Sequence, residues 1–299
     1  MKKLAMIGTQ IIHTVPYLSY FNGFDPALLQ KNAKPWMAAM LKGKPPEPRT
    51  SAARFTHIWA GEREEAQRLA ASCRVEKVAD SPHEFIAEVD AVFVMDEKVE
   101  ERAKLVRPFL EAGKAVFVDK ILSLTMTTTE ELLSLAREKG APLAAWSQLR
   151  FAPGLGEIAK MPRGGSALAS FRMALDILPM YSIHLISAVQ GAFGVGVKSL
   201  QRLACANGVE VRATYGDGTR VLMHFGPDAP PTMNMCYFTK TGCRLVDAGD
   251  SHVMFAAAAA ALEKMIVEWK PAVSPAEIAE ASRIVNFIVT ARPGEEKAL

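Results

Sequence analysis

Apolar residues follow two different rhythms along this chain, and the rhythm changes near Arg150. In the first half, short unbroken apolar runs at 4–7, 91–95, 115–118 and 143–146 predict strands buried on both faces, and 54–59 reads as a further strand. Between them, residues 62–72, 97–112 and 127–139 carry apolar positions at helical spacing, and Gly113 and Gly140 sit where two of these helices should stop. Thr127-Thr128-Thr129-Glu130 supplies a threonine N-cap and first-turn glutamates suited to the positive end of the helix dipole. Strands alternating with helices imply right-handed crossovers and a mostly parallel sheet.

Beyond Arg150 the runs at 167–176, 201–205, 209–215, 219–225, 234–239 and 244–246 read as strands separated by turns. Tyr215-Gly216-Asp217-Gly218-Thr219 is a hairpin signal, because Asp-Gly tolerates the positive φ of a tight turn. Helices are predicted at 252–269 and at 275–290, the second entered through Ser274-Pro275. The second half is therefore an antiparallel sheet with helical cover, and the fold class is α/β followed by α+β. A chain of 299 residues usually splits into two domains, here 1–149 and 150–299. About 45 residues separate the first two strands, where a crossover needs only a dozen or more. Turn chemistry at Phe21 to Pro26 and Lys44 to Pro48 flanks a short helix at about 27–42. This insertion, about 23–53, reads as a lid, an oligomer contact or a surface segment without a role.

Composition narrows the function. Hydrophobic residues at 49% and charged residues at 22% argue against disorder. A net charge of +3 with interspersed signs argues against a nucleic-acid surface. No apolar run approaches the roughly 18 residues that span a bilayer, and the apolar stretch after Lys2-Lys3 is too short for a signal peptide. Cys73, Cys205, Cys236 and Cys243 show no C-x-x-C spacing, so reduced thiols in the cytoplasm are expected. His57 and His224 fall in strands and read as structural, while His13, His83 and His252 lack ligand spacing. No metal, nucleophile elbow or P-loop is expected.

The chemistry gathers at the carboxyl ends of the first-half strands, where doubly wound sheets bind ligands. Strand 115–118 delivers Asp119-Lys120 there. The turn Gly8-Thr9-Gln10-Ile11-Ile12-His13 stands where a dinucleotide-binding G-x-G-x-x-G would be, with only the first glycine kept. Phosphate can still rest on the helix N-terminus. After the second strand, Ala60-Gly61-Glu62-Arg63 replaces the usual ribose-binding carboxylate. Glu62 can reach a ribose and Arg63 a 2′-phosphate, or both are solvated first-turn residues.

These features, with Asp90-Ala91-Val92, Glu111 to Val116, Asp119-Lys120, Arg150-Phe151-Ala152-Pro153, the helix Met180 to Ser187 and the tail from Pro275, resemble the glucose–fructose oxidoreductase and inositol dehydrogenase (Gfo/Idh/MocA) family over nearly the whole length. The resemblance implies an N-terminal Rossmann domain binding NAD or NADP, a C-terminal open antiparallel sheet that forms a dimer contact, and a small-molecule substrate. It implies that Lys120 occupies the family's E-K-P lysine position, touching nicotinamide ribose and substrate hydroxyl, and that His184 moves the hydroxyl proton. Here Asp119 replaces the glutamate and Ile121 the proline. The aspartate that orients the histidine is replaced by Met180 four residues before it, with Ser187 three residues after. Met95-Asp96-Glu97 replaces a small-residue–proline turn beside the ribose, and Asp119 and Gln148 complete the candidate cofactor contacts. Arg150 offsets the acidic turn or anchors an acidic substrate, and Tyr181 is a substrate contact or packing. The same reading gives Lys120 an ion pair with Asp119 or Asp96 as its structural alternative, and His184 a packing role.

Two functions follow. One is an NAD(P)-dependent oxidoreductase of a sugar, polyol or related hydroxylated molecule, acting by hydride transfer. The other is a ligand-binding or regulatory protein on a fold whose redox site has decayed. A redox-neutral lyase or hydrolase with a tightly held cofactor is a third possibility.

Overall fold

The buried runs of the first half become strands of one parallel sheet. In order, the elements are β1 (Lys2–Ile7), α1 (Thr14–Asn22), α2 (Pro26–Asn32), α3 (Pro35–Met40), β2 (Ala53–Trp59), α4 (Arg63–Ser72), β3 (Lys77–Val78), β4 (Ala91–Val94), α5 (Val99–Glu111), β5 (Ala115–Asp119), α6 (Met126–Lys139) and β6 (Leu143–Trp146). The strand order β3-β2-β1-β4-β5-β6, with β1 parallel to both β2 and β4, is the doubly wound Rossmann arrangement. Its order reverses beside β1, which opens a crevice at the carboxyl ends of β1 and β4. β4 and β5 are buried throughout, which is why they read as unbroken apolar runs. On one face Phe55, Phe93 and Phe117 meet Tyr17 and Phe21 of α1 edge to face, ring centroids 5.1–5.8 Å apart. Each such pair adds about 1 kcal/mol beyond its buried area.

The computed structural model describes every residue except Gln10, Ile11, Glu97, Pro231 and Asp250. The chain forms two units: Met1–Ser123, Glu130–Ala145 and Phe255–Val273 make the first, and Leu124–Thr129, Trp146–Met254 and Ser274–Leu299 the second. The division is discontinuous, where the sequence suggests one boundary at 149. A late segment joins the first unit because Phe255 packs edge to face on Tyr17 at 5.5 Å and Glu263 accepts hydrogen bonds from Thr50 Oγ1 at 2.8 Å and Tyr20 Oη at 3.3 Å.

Two local expectations change. The helix expected at 27–42 is two helices, because Pro35 forces the residue before it away from helical backbone; Ala33 and Lys34 are extended, with ψ of 156° and 142°. The start of α6 is capped by Thr125, whose Oγ1 accepts from Thr128 N at 3.3 Å, rather than by the threonines at 127–129.

The second unit holds α7 (Leu155–Ala159), β7 (Ser166–Arg172), α8 (Leu178–Phe193), β8 (Val197–Leu203), β9 (Val209–Tyr215), β10 (Arg220–Gly226), β11 (Asn234–Thr239) and β12 (Gly242–Asp247), then, after α9 (Ser251–Glu268), α10 (Pro275–Thr290) and β13 (Glu296–Ala298). Its seven strands run β12-β11-β7-β10-β9-β8-β13. The sheet is mixed rather than purely antiparallel, since β7 and β10 pair in parallel. The expected strand 167–176 stops at Arg172, because the chain must leave the sheet to enter α8, whose first turn holds Pro179. β13 carried no apolar signal because all of it is exposed. The Asp-Gly hairpin forms between β9 and β10, with Gly218 at φ +86°, and Ser274 and Glu277 close a capping box on α10.

Candidate active site

In the first unit the β1–α1 turn keeps the geometry of the first dinucleotide glycine. Gly8 has φ +86°, and a Cβ there would stand 2.7 Å from the Met95 carbonyl oxygen, so β1 and β4 approach closely only because the position is bare. Met95 is fully buried and its N–H donates to Ile7 O at 2.6 Å. Gln10 and Ile11 lie outside the described residues. On either side of them Thr9 and Thr14 are fully buried, and their hydroxyls find no partner among the described residues. Orphaned hydroxyls are costly and rare without a role. Beside a helix N-terminus they suit an anionic oxygen, so the residues present fit the phosphates of a dinucleotide here.

His13, at the third-glycine position, turns onto the end of β5. Its Nδ1–H donates to both Asp119 oxygens at 2.8 and 2.9 Å, and its ring lies edge to face on Phe255 at 4.9 Å. Burial pushes the Asp119 carboxyl up, but the charge and hydrogen bond of His13, aided by Lys120 and Arg102, outweigh it and hold the group below the usual carboxylate range. Both Asp119 oxygens are engaged by His13, so Asp119 shapes the site from beneath and does not offer its carboxylate to a cofactor. Lys120 follows it, 4% exposed, with φ +72°. That left-handed backbone is rare outside glycine and costs about 1–3 kcal/mol, which proteins tolerate mostly where function requires it.

Arg102 supports this corner. Only 1% exposed, its guanidinium donates to Ile121 O at 2.5 Å and to Asp96 O at 2.9 and 2.6 Å, tying the loops after β4 and β5 together. The Asp96 carboxylate accepts from Lys98 N at 2.7 Å, which satisfies it within its own loop. After β2, Arg63 is paired with Asp80. Glu62 is exposed and lines a groove of about 260 Å³ with Asn32, Lys34, Met37 and Arg68. The insertion's α2 and α3 thus wall the groove beside β2's carboxyl end.

In the second unit His184 is buried on α8 between the rings of Phe171 and Tyr181, each 5.3 Å away. Its orienting partner does not come from its own helix. Ser147, just after β6, places Oγ 2.5 Å from His184 Nδ1 and 3.1 Å from Gln148 Oε1, and Ser187 Oγ anchors the same segment by accepting from Ser147 N at 3.0 Å. When Ser147 donates to Gln148, its oxygen accepts the Nδ1 proton and leaves Nε2 as the basic nitrogen. Asp176 lies ahead of the helix in a 3₁₀ turn at Leu175–Ile177. Gln148 is buried beside Ser147. Arg150 is committed to Glu277 at 2.5 Å, the side chains 19% and 17% exposed, so its charge is balanced within the unit rather than held ready for an acidic substrate. Tyr181 is half-buried and packs on His184.

Lys120 and His184 therefore each stand in a built environment, one in each unit. His13, Arg102 and Ser147 were not readable as parts of it. His13 and Asp119 are 106 positions apart, and Ser147 and His184 are 37 apart. Arg102 left one signal: it falls on the apolar stripe of Val99, Val106 and Phe109, where a charge needs buried partners.

Residues 29–145 match the sequence model of an oxidoreductase family with an NAD-binding Rossmann fold, Gfo/Idh/MocA. No curated protein sequence matches the chain significantly. Among solved structures, UDP-N-acetylglucosamine 3-dehydrogenase from Acidithiobacillus ferrooxidans is similar with a TM-score of 0.72 at 14% identity, covering 96% of each chain. An oxidoreductase from Agrobacterium radiobacter in complex with NAD⁺, L-tartaric acid and magnesium scores 0.74 at 11% identity, over 99% of this chain and 98% of that one. Biliverdin reductase from Synechocystis sp. PCC 6803, bound to biliverdin and NADP⁺, scores 0.66 at 15% identity, over 96% and 98%. Likeness at these identities establishes the fold. The sequence likeness to the Gfo/Idh/MocA oxidoreductase family thus lies in residues 29–145, on a fold shared with such dehydrogenases along the whole length.

Proposed function

We propose that the chain is an NAD(P)-dependent oxidoreductase acting on a sugar, polyol or related hydroxylated small molecule. The observation that carries this reading is Lys120, held almost buried in left-handed backbone at the carboxyl end of β5 and backed by the Asp119–His13 pair. A bound nicotinamide would supply the hydride acceptor or donor. Thr9, Thr14 and the N-terminus of α1 would hold its phosphates, with Glu62 on the ribose side. The Lys120 ammonium is assigned to polarising the substrate oxygen. An alcohol must lose its O–H proton as the C–H hydride departs, and an imidazole near neutral pKa suits that transfer. His184, oriented by Ser147, is assigned that proton. The resemblance further supports a homo-oligomer through the open face of the second sheet, where Leu168, Phe238 and Leu245 are exposed.

A titration of purified protein with NADH and with NADPH, followed by turnover on a panel of sugars and polyols, tests the reading. Saturable binding of one nucleotide is expected, with Lys120→Ala lowering turnover by about 10²–10⁴ while nucleotide binding persists. Absence of binding of either nucleotide overturns it. The ligand-binding reading is favoured by one observation, that Met180 stands where the resemblance implies the aspartate orienting His184. It expects nucleotide binding without turnover and no effect of Lys120→Ala.

A further inference from the structure

The strand register of the second unit brings together three side chains that nothing in the hydride-transfer reading uses. Glu210 on β9 and His224 on β10 are direct cross-strand partners, and the short connection between β8 and β9 lays Cys205 beside them. One ligating atom from each of Cys205, Glu210 and His224 lies within 4.8 Å of the other two, and no other such trio with these residue types forms among the described residues. Two glycines make this approach possible. A Cβ on Gly208 would stand 2.5 Å from the Phe225 carbonyl oxygen, and one on Gly226 would stand 2.8 Å from both Asn207 O and Asp228 Oδ1.

We propose that Cys205, Glu210 and His224 form a binding site for a divalent transition-metal cation, Zn²⁺ being the best chemical match. Thiolate, carboxylate and imidazole together suit a borderline-soft ion, and three protein ligands leave one coordination position open. The imidazole is arranged as a ligand usually is: Nδ1 faces Glu210 at 3.1 Å, and Nε2 faces the Asp228 carboxylate at 3.1 Å. A carboxylate on the far nitrogen orients the ring and raises its basicity toward a metal. Charge also closes. The thiolate and the carboxylates of Glu210 and Asp228 carry three negative charges, which a divalent cation and the neighbouring Arg202 cancel; Arg202 donates to Glu210 O at 3.3 Å and interacts electrostatically with Cys205. Glu210 and His224 also line a groove of about 320 Å³ on this face of the sheet. Without a metal, the same ring joins the two carboxylates when both its nitrogens carry protons, and that ion-paired state is the competing occupant.

Full-length protein stripped with a chelator and titrated with Co²⁺ alone separates the two. The expected result is one equivalent bound with a near-ultraviolet sulfur-to-cobalt charge-transfer band, displaced by Zn²⁺. Cys205→Ser should remove the band, Glu210→Gln should weaken binding, and Asp228→Asn should weaken it by about tenfold, the scale of losing an outer partner. No stoichiometric Co²⁺ binding, or binding whose spectrum is unchanged by Cys205→Ser, overturns the proposal and leaves the ion-paired histidine. Nucleotide titration of the same samples keeps this outcome separate from the oxidoreductase reading.

Discussion

At the scale of single residues, the first unit holds a buried pair of His13 with Asp119. Breaking such a pair from one side leaves a charge in low dielectric, which costs about 3–5 kcal/mol. His13→Ala is therefore expected to lower unfolding free energy by about that much in urea, and Asp119→Asn added to it should recover a good part, because the stranded charge is gone. Equal loss in the single and double variants would show that the pair is not what stabilises this corner. Cys73 has no such role: burial pushes its thiol up to about 12, so it stays protonated and unreactive in the folded chain. Lys120 was readable from its place after an apolar run, and its position at the end of β5 agrees. Its backbone strain and the identity of Asp119's partner were not, because neither leaves a mark on neighbouring sequence.

Elements were readable where their cause is local. Ser274-Pro275 gave the start of α10, and Asp-Gly gave the β9–β10 hairpin, since helix starts and tight turns act over two to four residues. The mixed pairing of β7 with β10 was not readable, because strand order depends on which hydrophobic faces meet in space. That sheet presents Leu168, Phe238 and Leu245 at 53%, 45% and 66% exposure. A contiguous exposed apolar surface usually marks an interaction site, and the proposed occupant is a second copy of the chain. Sedimentation should show a dimer for the parent protein and a monomer of unchanged thermal stability for Leu245→Asp. A monomeric parent would refute the assignment.

For the whole molecule, folding ties stability to pH through groups from distant parts of the first unit. Burial lowers the His57 pKa more than Glu88 raises it, so the unfolded chain takes up this proton first, and stability falls as pH drops below about 6.5. Asp119 and Asp90 are held below their ordinary values although burial pushes both up; His13 leads for Asp119 and the Lys3 N–H for Asp90. Their contributions are complete above the unfolded carboxylate value and disappear as pH falls through the folded one. Denaturant unfolding measured from pH 8 to pH 4 should show a gradual loss below pH 6.5 that steepens near pH 4; stability that rises between pH 7 and pH 5 would contradict the burial of His57. By itself the sequence determined the alternating first half, the doubly wound sheet and the lysine after β5, because hydrophobic period and local turn chemistry encode these within a few residues, while the family resemblance rested on matching motifs such as Asp119-Lys120 and the Met180 to Ser187 helix. Only the tertiary structure decided that His13 meets Asp119, that Ser147 orients His184, that the segment from Phe255 returns to the first unit, and that Cys205, Glu210 and His224 converge. Those contacts join residues far apart along the chain, and complementary packing and charge in three dimensions select them without any fixed sequence spacing.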